Sequence, residues 1–384
     1  MSKHLPPDLV LLLRGAADHP QDLLGGRTPL QYAELPNLRA LSRRGRLRPF
    51  DAAPSGHSVH AGGDLFGAFG LHPPSDQDPP AGLIDWYGDG RDPAEGRYLH
   101  ADPAHLAVTP EAAVVTDPDD LALHPEEAEE LAEALNRELF EPEGARLVVL
   151  APGCWLLHLP RDPGVRSVAL ESWIGADARG GLPRGAEEAA WHRLANEVQM
   201  LLAAHAVNGR RRMEGRPEVN TLWFWGAGAF PGRPETPPWR AVWGEAPHLS
   251  GLGRLTGTGL RGPVSDFQEV LREKGSAGGP VLAVADRPRA AGARGDLGAK
   301  VDALEALDQQ WLGPLSTALA EGVARSAWVI LGPEAPTGAR PAEPSPPAPA
   351  LDCRAGRLWP WNRPRPVSEE KLAGQIVGWE AFFR

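Results

Sequence analysis

The chain of 384 residues is long enough for one large domain or for a core with an inserted lobe, and its 42% hydrophobic content can fill such a core. Its formal net charge of −11 comes from scattered acidic residues, which favours solubility and argues against nucleic acid as a partner. The two cysteines, Cys154 and Cys353, lie far apart in no metal-like spacing, so we interpret both as structural.

The N-terminal residues contain no charged leader followed by a long apolar run, and the apolar run at residues 9–13 is too short to cross a bilayer. The low cysteine content also fits a reducing compartment. We therefore expect a cytoplasmic protein without a membrane partner. The 44 glycines and 41 prolines punctuate periodic segments and form no tandem repeat, which indicates turn residues.

The first predicted elements are a strand and two helices. Residues 8–13 (DLVLLL) form a continuous apolar run, which is typical of a strand buried on both faces of a parallel sheet. Thr28, Pro29 and Gln31 predict a helix start, because they supply a cap, a proline at the first helical position and a glutamine three residues after the cap. A second helix is predicted from Asn37 to Gly45.

A lobe is predicted to follow. Residues 71–102 are dense in proline, glycine and aspartate, which indicates a loop or the entry to an inserted lobe that continues to about residue 216. Residues 126–139 and 191–202 have the apolar spacing of amphipathic helices. Residues 146–150, 154–159 and 167–171 are interpreted as strands, so the lobe is expected to be α+β.

The core is predicted to resume at residues 219–225 (VNTLWFW), where Trp223 and Trp225 share one face of a strand. Buried strands are predicted at residues 281–285 and 327–331, with a long helix between them, and this order implies parallel pairing. Residues 333–349 are expected to form a Pro/Ala-rich loop, and residues 368–383 a short helix.

Residues 25–33 (GGRTPLQYA), 219–228 (VNTLWFWGAG) and 295–308 (GDLGAKVDALEALD) together resemble segments of the archaeal-type, cofactor-independent phosphoglycerate mutases of the alkaline phosphatase superfamily. Residues 101–106 (ADPAHL) and 196–202 (NEVQMLL) are similar to a proteobacterial mutase-like branch that includes regulatory proteins of the Rpf type. The resemblance implies an α/β fold: an alkaline-phosphatase-like, mostly parallel sheet flanked by helices at residues 1–75 and 217–384, and an inserted α+β lobe at residues 76–216.

In that family two metal ions and a serine nucleophile transfer a phosphoryl group between the hydroxyls of a glycerate. The resemblance implies a metal-ligating aspartate at the end of the first strand, where this chain has Arg14. It implies an aspartate and a histidine before the late helix, where the chain has Arg289 and Ala293, although a two-residue insertion would place Asp286 at the strand end. At the last family site only Glu334 is able to ligate a cation.

The nucleophile segment is also altered. The family's serine lies four residues before a histidine, and matching that histidine to His60 places Gly56 at the nucleophile position. Ser55 and Ser58 are the nearest hydroxyls and, with His60, the catalytic candidates, although serines in such loops commonly form turns. We expect no cofactor; a divalent Mn, Mg or Zn ion belongs only to a rearranged site, whose ligands would be His57, His60, Asp64, Asp286 and Glu334.

Other residues are candidates for ligand binding. Arg14 is expected to hold a carboxylate or phosphate in place of the missing metals, with Asp18 in the loop that follows. Trp223, Trp225 and the turn from Gly226 to Gly228 are expected to present aromatic surface and backbone N–H groups, although a core strand with a tight turn explains the same pattern. The remaining candidates are polar residues that alternatively satisfy buried backbone groups: His57, Asp102, His105, Asn208 and Asn220.

These observations predict a non-catalytic, mutase-derived protein that binds a small anionic metabolite or a protein partner in regulation. Arg14, Ser58, His60 and residues 226–228 are expected to converge on one crevice. The alternative is an active 2,3-bisphosphoglycerate-independent phosphoglycerate mutase, or a related phosphatase, with rearranged ligands. Loss of most metal ligands together favours the first hypothesis, because too few donors cannot offset the dehydration of a cation.

Overall fold

The computed structural model describes residues 7–53, 56–74, 76–230, 232–273, 279–334, 347–355, 376–379 and 382. Two sheets dominate this part of the chain. Its strands are β1 Leu9–Ala17, β2 Arg46–Asp51, β3 Arg97–Ala104, β4 Leu106–Val108, β5 Ala113–Val115, β6 Arg146–Ala151, β7 Cys154–Leu159, β8 Val165–Arg166, β9 Arg184–Gly185, β10 Thr221–Trp225, β11 Ala241–Gly244, β12 Gly259–Leu260, β13 Val281–Ala285, β14 Ser326–Pro333, β15 Ala348–Arg354 and β16 Val377–Gly378.

The helices are mostly short. They are α1 Pro29–Tyr32, α2 Pro36–Arg44, α3 Gly63–Ala68, α4 Ala81–Gly88, α5 Pro125–Leu135, α6 Ala178–Gly181, α7 Glu188–Ala204, α8 Ala206–Met213, α9 Leu249–Thr256, α10 Phe267–Glu273, α11 Arg287–Ala293, α12 Leu297–Leu307 and α13 Gly313–Ala320. A π-helical turn, Asp308–Leu312, joins α12 to α13 and so gives the long helix that the sequence predicts. None of the helices in the described ranges has the length and apolar composition needed to cross a membrane.

The larger sheet has the strand order β12-β11-β13-β1-β14-β15-β2-β16. Strand β1 lies between β13 and β14 and pairs with both in parallel, whereas β15 runs antiparallel to its neighbours. Leu9, Leu11 and Leu13 face one hydrophobic cluster that includes α12 and α13, and Val10 and Leu12 face another on the opposite side. The prediction of an α/β protein with a mostly parallel sheet flanked by helices is therefore confirmed.

The capping box predicted for α1 is present, because the side chain of Thr28 accepts a hydrogen bond from the Gln31 N–H and the Gln31 side chain accepts one from the Thr28 N–H. The predicted helices at residues 126–139 and 191–202 correspond to α5, extended by a π-helical turn, and to α7. The strands predicted at residues 146–150 and 154–159 are β6 and β7.

The second sheet is antiparallel, with the order β10-β3-β7-β6, and α5, α7 and α8 cover one of its faces. The prediction that residues 219–225 return to the core sheet is wrong, because Thr221 to Trp225 pair with β3 in this second sheet. An apolar strand of this length suits either sheet, so its local pattern does not select the partner. The exact bounds of core and lobe stay a prediction.

Two other predicted elements differ. Residues 167–171 do not form a strand: Leu170–Trp173 is a 3₁₀ helix, and the Ser172 hydroxyl donates to the carbonyl of Ala169. The predicted helix at residues 368–383 falls largely outside the described residues, and the described Val377–Gly378 segment is instead a strand, β16. The predicted loop at residues 333–349 also lies largely outside the described residues, and it is flanked by β14 and β15.

Helix α4 connects the two sheets. An added Cβ at Gly82 would lie 2.5 Å from the Leu99 Cα of β3, and one at Gly251 in α9 would lie 1.8 Å from the Ile84 carbonyl oxygen of α4. At Gly82 and at Gly251 the helix therefore approaches its neighbour so closely that no residue with a side chain would fit. Helix α4 is therefore held between β3 of the lobe sheet and α9.

We predict that Gly251→Ala destabilises the protein by about 1–3 kcal/mol, because the new methyl group forces α9 away from α4. Gly209→Ala is the matched control, since Gly209 is also helical and has no atom within 4 Å of an added Cβ. Helix propensity predicts that this control is as stable as the unmodified protein or more stable. Urea unfolding measures both; equal effects of the two substitutions would contradict the close packing of α4 and α9.

Candidate functional site

Three neighbouring strands of the core sheet end in charged residues. Arg14 lies towards the end of β1, Asp286 directly follows β13, and Glu334 directly follows β14. Because these strands are parallel, their carboxyl ends meet at one edge, the usual place for a ligand site in such a sheet. This edge is also where the resemblance implies metal ligands.

Arg14 is 1% exposed and is paired with protein groups on several sides. Its Nε and Nη2 donate to the two oxygens of Asp64 over 2.7 and 2.9 Å, and Nη1 donates to Asp286 over 2.5 Å. Nη2 also donates to the Val59 carbonyl over 2.6 Å. The guanidinium therefore joins β1 to α3 and to the end of β13, and its paired donors leave little capacity for an external anion.

Arg289 extends the network from the first turn of α11. Its Nε and Nη2 each donate to Asp286 over 2.8 Å, and its Nη1 donates to Glu171. Burial alone would raise the pKa of Asp286, but the charge of Arg14 and the hydrogen bonds from Arg289 outweigh it and hold this pKa below its usual value. In the same way, Arg289 and His60 overcome burial and hold the pKa of Glu171 below its usual value.

Lys300 supplies a third cation from α12. Its fully buried Nζ donates to Asp18 over 2.8 Å and to Glu334 over 2.7 Å. Burial raises the pKa of Glu334, although the Lys300 charge opposes this shift. His60 lies next to this pair, with Nε2 3.8 Å from Glu334 and Nδ1 3.7 Å from Glu171.

These residues do not fit the metal pair implied by the family resemblance. The carboxylates near the strand ends already face the side-chain cations Arg14, Arg289 and Lys300. A metal ion there would have to lie beside these positive groups or displace them, which is electrostatically unfavourable. We derive no catalytic step through metals at this position.

The rearranged ligand set also does not assemble. Asp64 and Asp286 both bind Arg14, while His57 lines a different cavity from His60. Among the described residues, the side-chain groups close enough to hold one ion are Asp85 with His100 and His248, and His100 with Asp102 and Cys154. None of the five ligands proposed from the sequence is in either group.

A cavity of about 420 Å³ lies between the predicted nucleophile loop and the lobe. Gly56, His57 and Ser58 line one side, and Trp225 and Gly226 also contribute. Ser58 caps a short 3₁₀ turn, because its hydroxyl oxygen accepts from the His60 N–H over 3.2 Å. Ser55, the other candidate nucleophile, lies outside the described residues.

Two arginines that the sequence did not indicate also line this cavity. Arg166 in β8 and Arg184 in β9 are directly paired in the antiparallel register, so they share one face of the hairpin. Like charges in such a pair repel each other. Neither residue belongs to a recognisable motif, and only the strand pairing brings them together. They bring positive charge to a cavity that the Asp78 carboxylate also lines.

The crevice predicted from the sequence is present in part. Ser58 and Gly226 line the same cavity, and Arg14 binds the Val59 carbonyl directly behind it. His60 faces a second cavity of about 300 Å³ instead, together with Trp225. A ligand contact by Arg14 stays a prediction, which its burial and its carboxylate partners do not favour. Asp18 likewise binds Lys300.

Other binding candidates make structural contacts. Asn208 bonds the backbone of Leu202 and Val219, and Asn220 bonds both backbone groups of Leu106. Gly228 permits close backbone packing, because an added Cβ would lie 2.0 Å from the Asp78 carbonyl oxygen.

Hydrogen bonds also hold the remaining aromatic candidates in place. Trp223 donates to the Val168 carbonyl, and His105 Nδ1 lies 2.8 Å from the Glu218 carbonyl oxygen. Trp225 Nε1 donates to Asp102 over 2.7 Å. Of these candidates, Trp225 also lines both cavities.

Comparisons with known proteins identify relatives along most of the chain, although no protein-family model matches it. The 2,3-bisphosphoglycerate-independent phosphoglycerate mutase of Methanothrix thermoacetophila is 28% identical over 358 residues, which cover 86% of this chain and 86% of that protein. The enzyme of the same name from Methanosarcina barkeri is 28% identical over 339 residues, which cover 80% of each chain.

One solved structure supports the fold. The PH0037 protein from Pyrococcus horikoshii superposes with a TM-score of 0.61 at 19% identity, covering 98% of this chain and 96% of that one. Together with the sequence relatives, this likeness supports a mutase-like α/β protein. The more specific relation to the Rpf-type regulatory branch stays a prediction.

We predict that Arg14→Met destabilises the protein by about 3–5 kcal/mol, because methionine fills the space but leaves Asp64 without its buried cation. Arg325→Met is the control, since Arg325 pairs with Asp8 but its side chain is 82% exposed. We expect little effect from that exposed pair. Denaturant unfolding compares the two variants; an Arg14→Met protein as stable as the control would show that the buried network does not stabilise the fold.

Proposed function

We propose that this mutase-like protein is non-catalytic and binds a small anionic metabolite in the cavity between Ser58 and the Arg166/Arg184 hairpin, in a regulatory role. The observation that carries the non-catalytic part is the pairing of Arg14 and Arg289 with the carboxylates at the strand ends. The opposed arginines support the binding part.

The loss of phosphoryl transfer follows from the charge of the site. Such transfer needs cations that withdraw electrons from the phosphoryl oxygens and stabilise both the attacking and the leaving oxygen. A guanidinium can neutralise charge and donate hydrogen bonds, but it has no empty coordination position for an alkoxide. Arg14 is also already bonded to Asp64, Asp286 and a backbone carbonyl.

Anion binding follows from the geometry of the cavity. Arg166 and Arg184 are paired across β8 and β9 and both line its wall, so an anion in the cavity would lie near both guanidinium groups. Arginine suits carboxylate and phosphate because its planar group donates two parallel hydrogen bonds. The volume of about 420 Å³ is in the range of small-molecule sites, and the Ser58 loop contributes polar groups to the same lining.

The test of binding is calorimetry on the intact protein with 3-phosphoglycerate, glycerate and inorganic phosphate. We expect binding of at least one of these anions, and each of Arg166→Gln and Arg184→Gln should weaken it by about 1.5–3 kcal/mol, the loss of a hydrogen bond to a charged group. Arg179→Gln is the control, because Arg179 is exposed in α6 and pairs with Asp177.

Unchanged affinity in both hairpin variants would contradict the assignment of the cavity. If the unmodified protein binds none of these anions, the metabolite proposal fails and regulation through a protein partner remains.

The activity for which these relatives are named favours one second candidate, an active phosphoglycerate mutase. We predict no interconversion of 2- and 3-phosphoglycerate with added Mn²⁺, Mg²⁺ or Zn²⁺, because protein cations occupy the strand-end carboxylates. A coupled assay of the purified protein measures this directly. Metal-dependent turnover that Ser58→Ala abolishes would establish the active alternative and overturn the non-catalytic proposal.

A further inference from the structure

A second polar cluster lies between the lobe sheet and α9, in a cavity that Glu171 and His60 of the arginine network also line. It consists of Asp85 in α4, His100 in β3 and His248 directly before α9, all lining the cavity of about 300 Å³. Both histidines are buried, at 2% and 6% exposure. The three residues are distant in sequence, and neither composition nor spacing indicated them.

The Asp85 carboxylate lies between the two imidazole rings. One oxygen is 3.1 Å from His100 Nε2, and the other is hydrogen-bonded to His248 Nδ1 over 2.9 Å. Ligand atoms on one tetrahedral zinc ion lie about 3.3 Å apart, given bond lengths of about 2.0–2.1 Å. The observed separations are slightly shorter, as expected for hydrogen-bonded partners, and the ligand atoms of all three residues lie within 4.8 Å of one another, close enough to share one ion.

The other side of His100 fixes its orientation. Its Nδ1 lies 3.3 Å from Asp102, which also accepts hydrogen bonds from the Trp155 backbone N–H and from Trp225 Nε1. The Trp225 ring stacks on His100 with centroids 4.2 Å apart and an angle of 9°. A carboxylate behind a histidine is the usual partner of a metal-ligating imidazole, because it holds the proton on the far nitrogen and directs the other nitrogen to the ion.

His100 Nε2 is the atom that this arrangement leaves for an ion. It is buried and has no aligned hydrogen-bond partner among the described residues. Asp85 is close enough, at 3.1 Å, but its direction does not meet hydrogen-bond geometry. The ion pair with Asp85 therefore leaves this buried nitrogen without a well-aligned hydrogen bond, and a bound cation would satisfy its lone pair directly.

The backbone of His248 is also unusual. Its φ of 70° and ψ of −12° place a non-glycine residue in the left-handed region, which costs free energy. The ring passes close to Gly62, where an added Cβ would lie 2.8 Å from His248 Cδ2. The fold therefore tolerates strain that aims this ring at Asp85.

We propose that Asp85, His100 and His248 bind one divalent transition-metal ion of the zinc class, with Asp102 as the positioning carboxylate and a further coordination position open to the cavity. Two imidazoles and one carboxylate suit such ions, whereas Mg²⁺ and Ca²⁺ prefer oxygen ligands alone. This site uses α4, β3 and the residue before α9, and none of the strand-end residues that the family resemblance implies. It departs from our expectation that no metal is bound.

The competing ligand set is His100 with Asp102 and Cys154. Asp102 already accepts hydrogen bonds from Trp155 and Trp225, and Cys154 Sγ lies 4.0 Å from His100 Nδ1, the nitrogen that faces Asp102. The Asp85 set instead uses the nitrogen without an aligned partner. We therefore assign Cys154 no ligand role.

The experiment uses the full chain, purified without a polyhistidine tag and freed of metal by a chelator. Calorimetric titration with Zn²⁺ and elemental analysis of the product should both show one equivalent bound. Co²⁺ bound at the same site should give visible absorption bands. Asp85→Asn, His100→Gln and His248→Gln should each weaken Zn²⁺ binding by 100-fold or more. Asp102→Asn should weaken it by about 10–100-fold, the effect of losing the carboxylate behind a ligand. Mg²⁺ should not compete.

Asp119→Asn is the matched control, because this carboxylate lines the same cavity outside the cluster and should leave Zn²⁺ affinity unchanged. Circular dichroism of each metal-free variant separates loss of a ligand from loss of the fold, and the single-atom change in Asp85→Asn keeps the test valid if a histidine variant does not fold. No stoichiometric Zn²⁺ binding, or equal binding by the folded cluster variants, would overturn the site. Loss of binding in Cys154→Ser would overturn this ligand assignment. These readouts do not depend on whether the anion cavity is correct.

Discussion

The ion pairs of Arg14 are the contacts on which the rest of the core edge depends. This guanidinium binds Asp64 of α3 and Asp286 after β13, so one residue of the central strand sets the position of two other segments. Buried ion pairs contribute little net stability compared with well-packed apolar residues, but breaking one leaves an uncompensated charge. The structure therefore requires arginine and both carboxylates together, and the change of any one of them affects the others.

The same contacts separate this chain from a protein that depends on bound cations. In a metal site, the carboxylates at the strand ends repel each other until ions arrive, so folding and metal affinity are linked. Here Arg14, Arg289 and Lys300 are covalently part of the chain and supply the positive charge at every stage. The charge at the edge of the sheet is thus neutralised by the chain's own side chains.

Much of the fold could be predicted because its signals are local. The apolar run of β1 and the capping residues Thr28 and Gln31 act within a few positions, and Arg14 was recognisable as a positive residue where a ligand is implied. The partner of β10 was not predictable in this way, since an apolar strand with two tryptophans fits either sheet. The residues of a strand indicate whether it is buried better than they indicate which strands it pairs with.

The cavity-lining residues that the sequence did not indicate are brought together only by the tertiary structure. Arg166 meets Arg184 through a strand pair, and His100 meets His248 through the packing of α4 between β3 and α9. No spacing along the chain encodes such a meeting. Conversely, Asn208 and Asn220 were candidates for ligand binding because the sequence does not reveal their backbone partners. In the fold, Asn208 bonds the carbonyl of Val219 and Asn220 bonds the carbonyl of Leu106.

The indole of Trp225 forms a wall that the two cavities share. One face of it stacks on His100, and its N–H is tied to Asp102, so the ring cannot shift without disturbing both residues. Whatever occupies one cavity and moves this ring changes the free energy of occupying the other. Thermodynamic linkage makes that influence equal in both directions, so the indole that separates the two cavities also couples their occupancies.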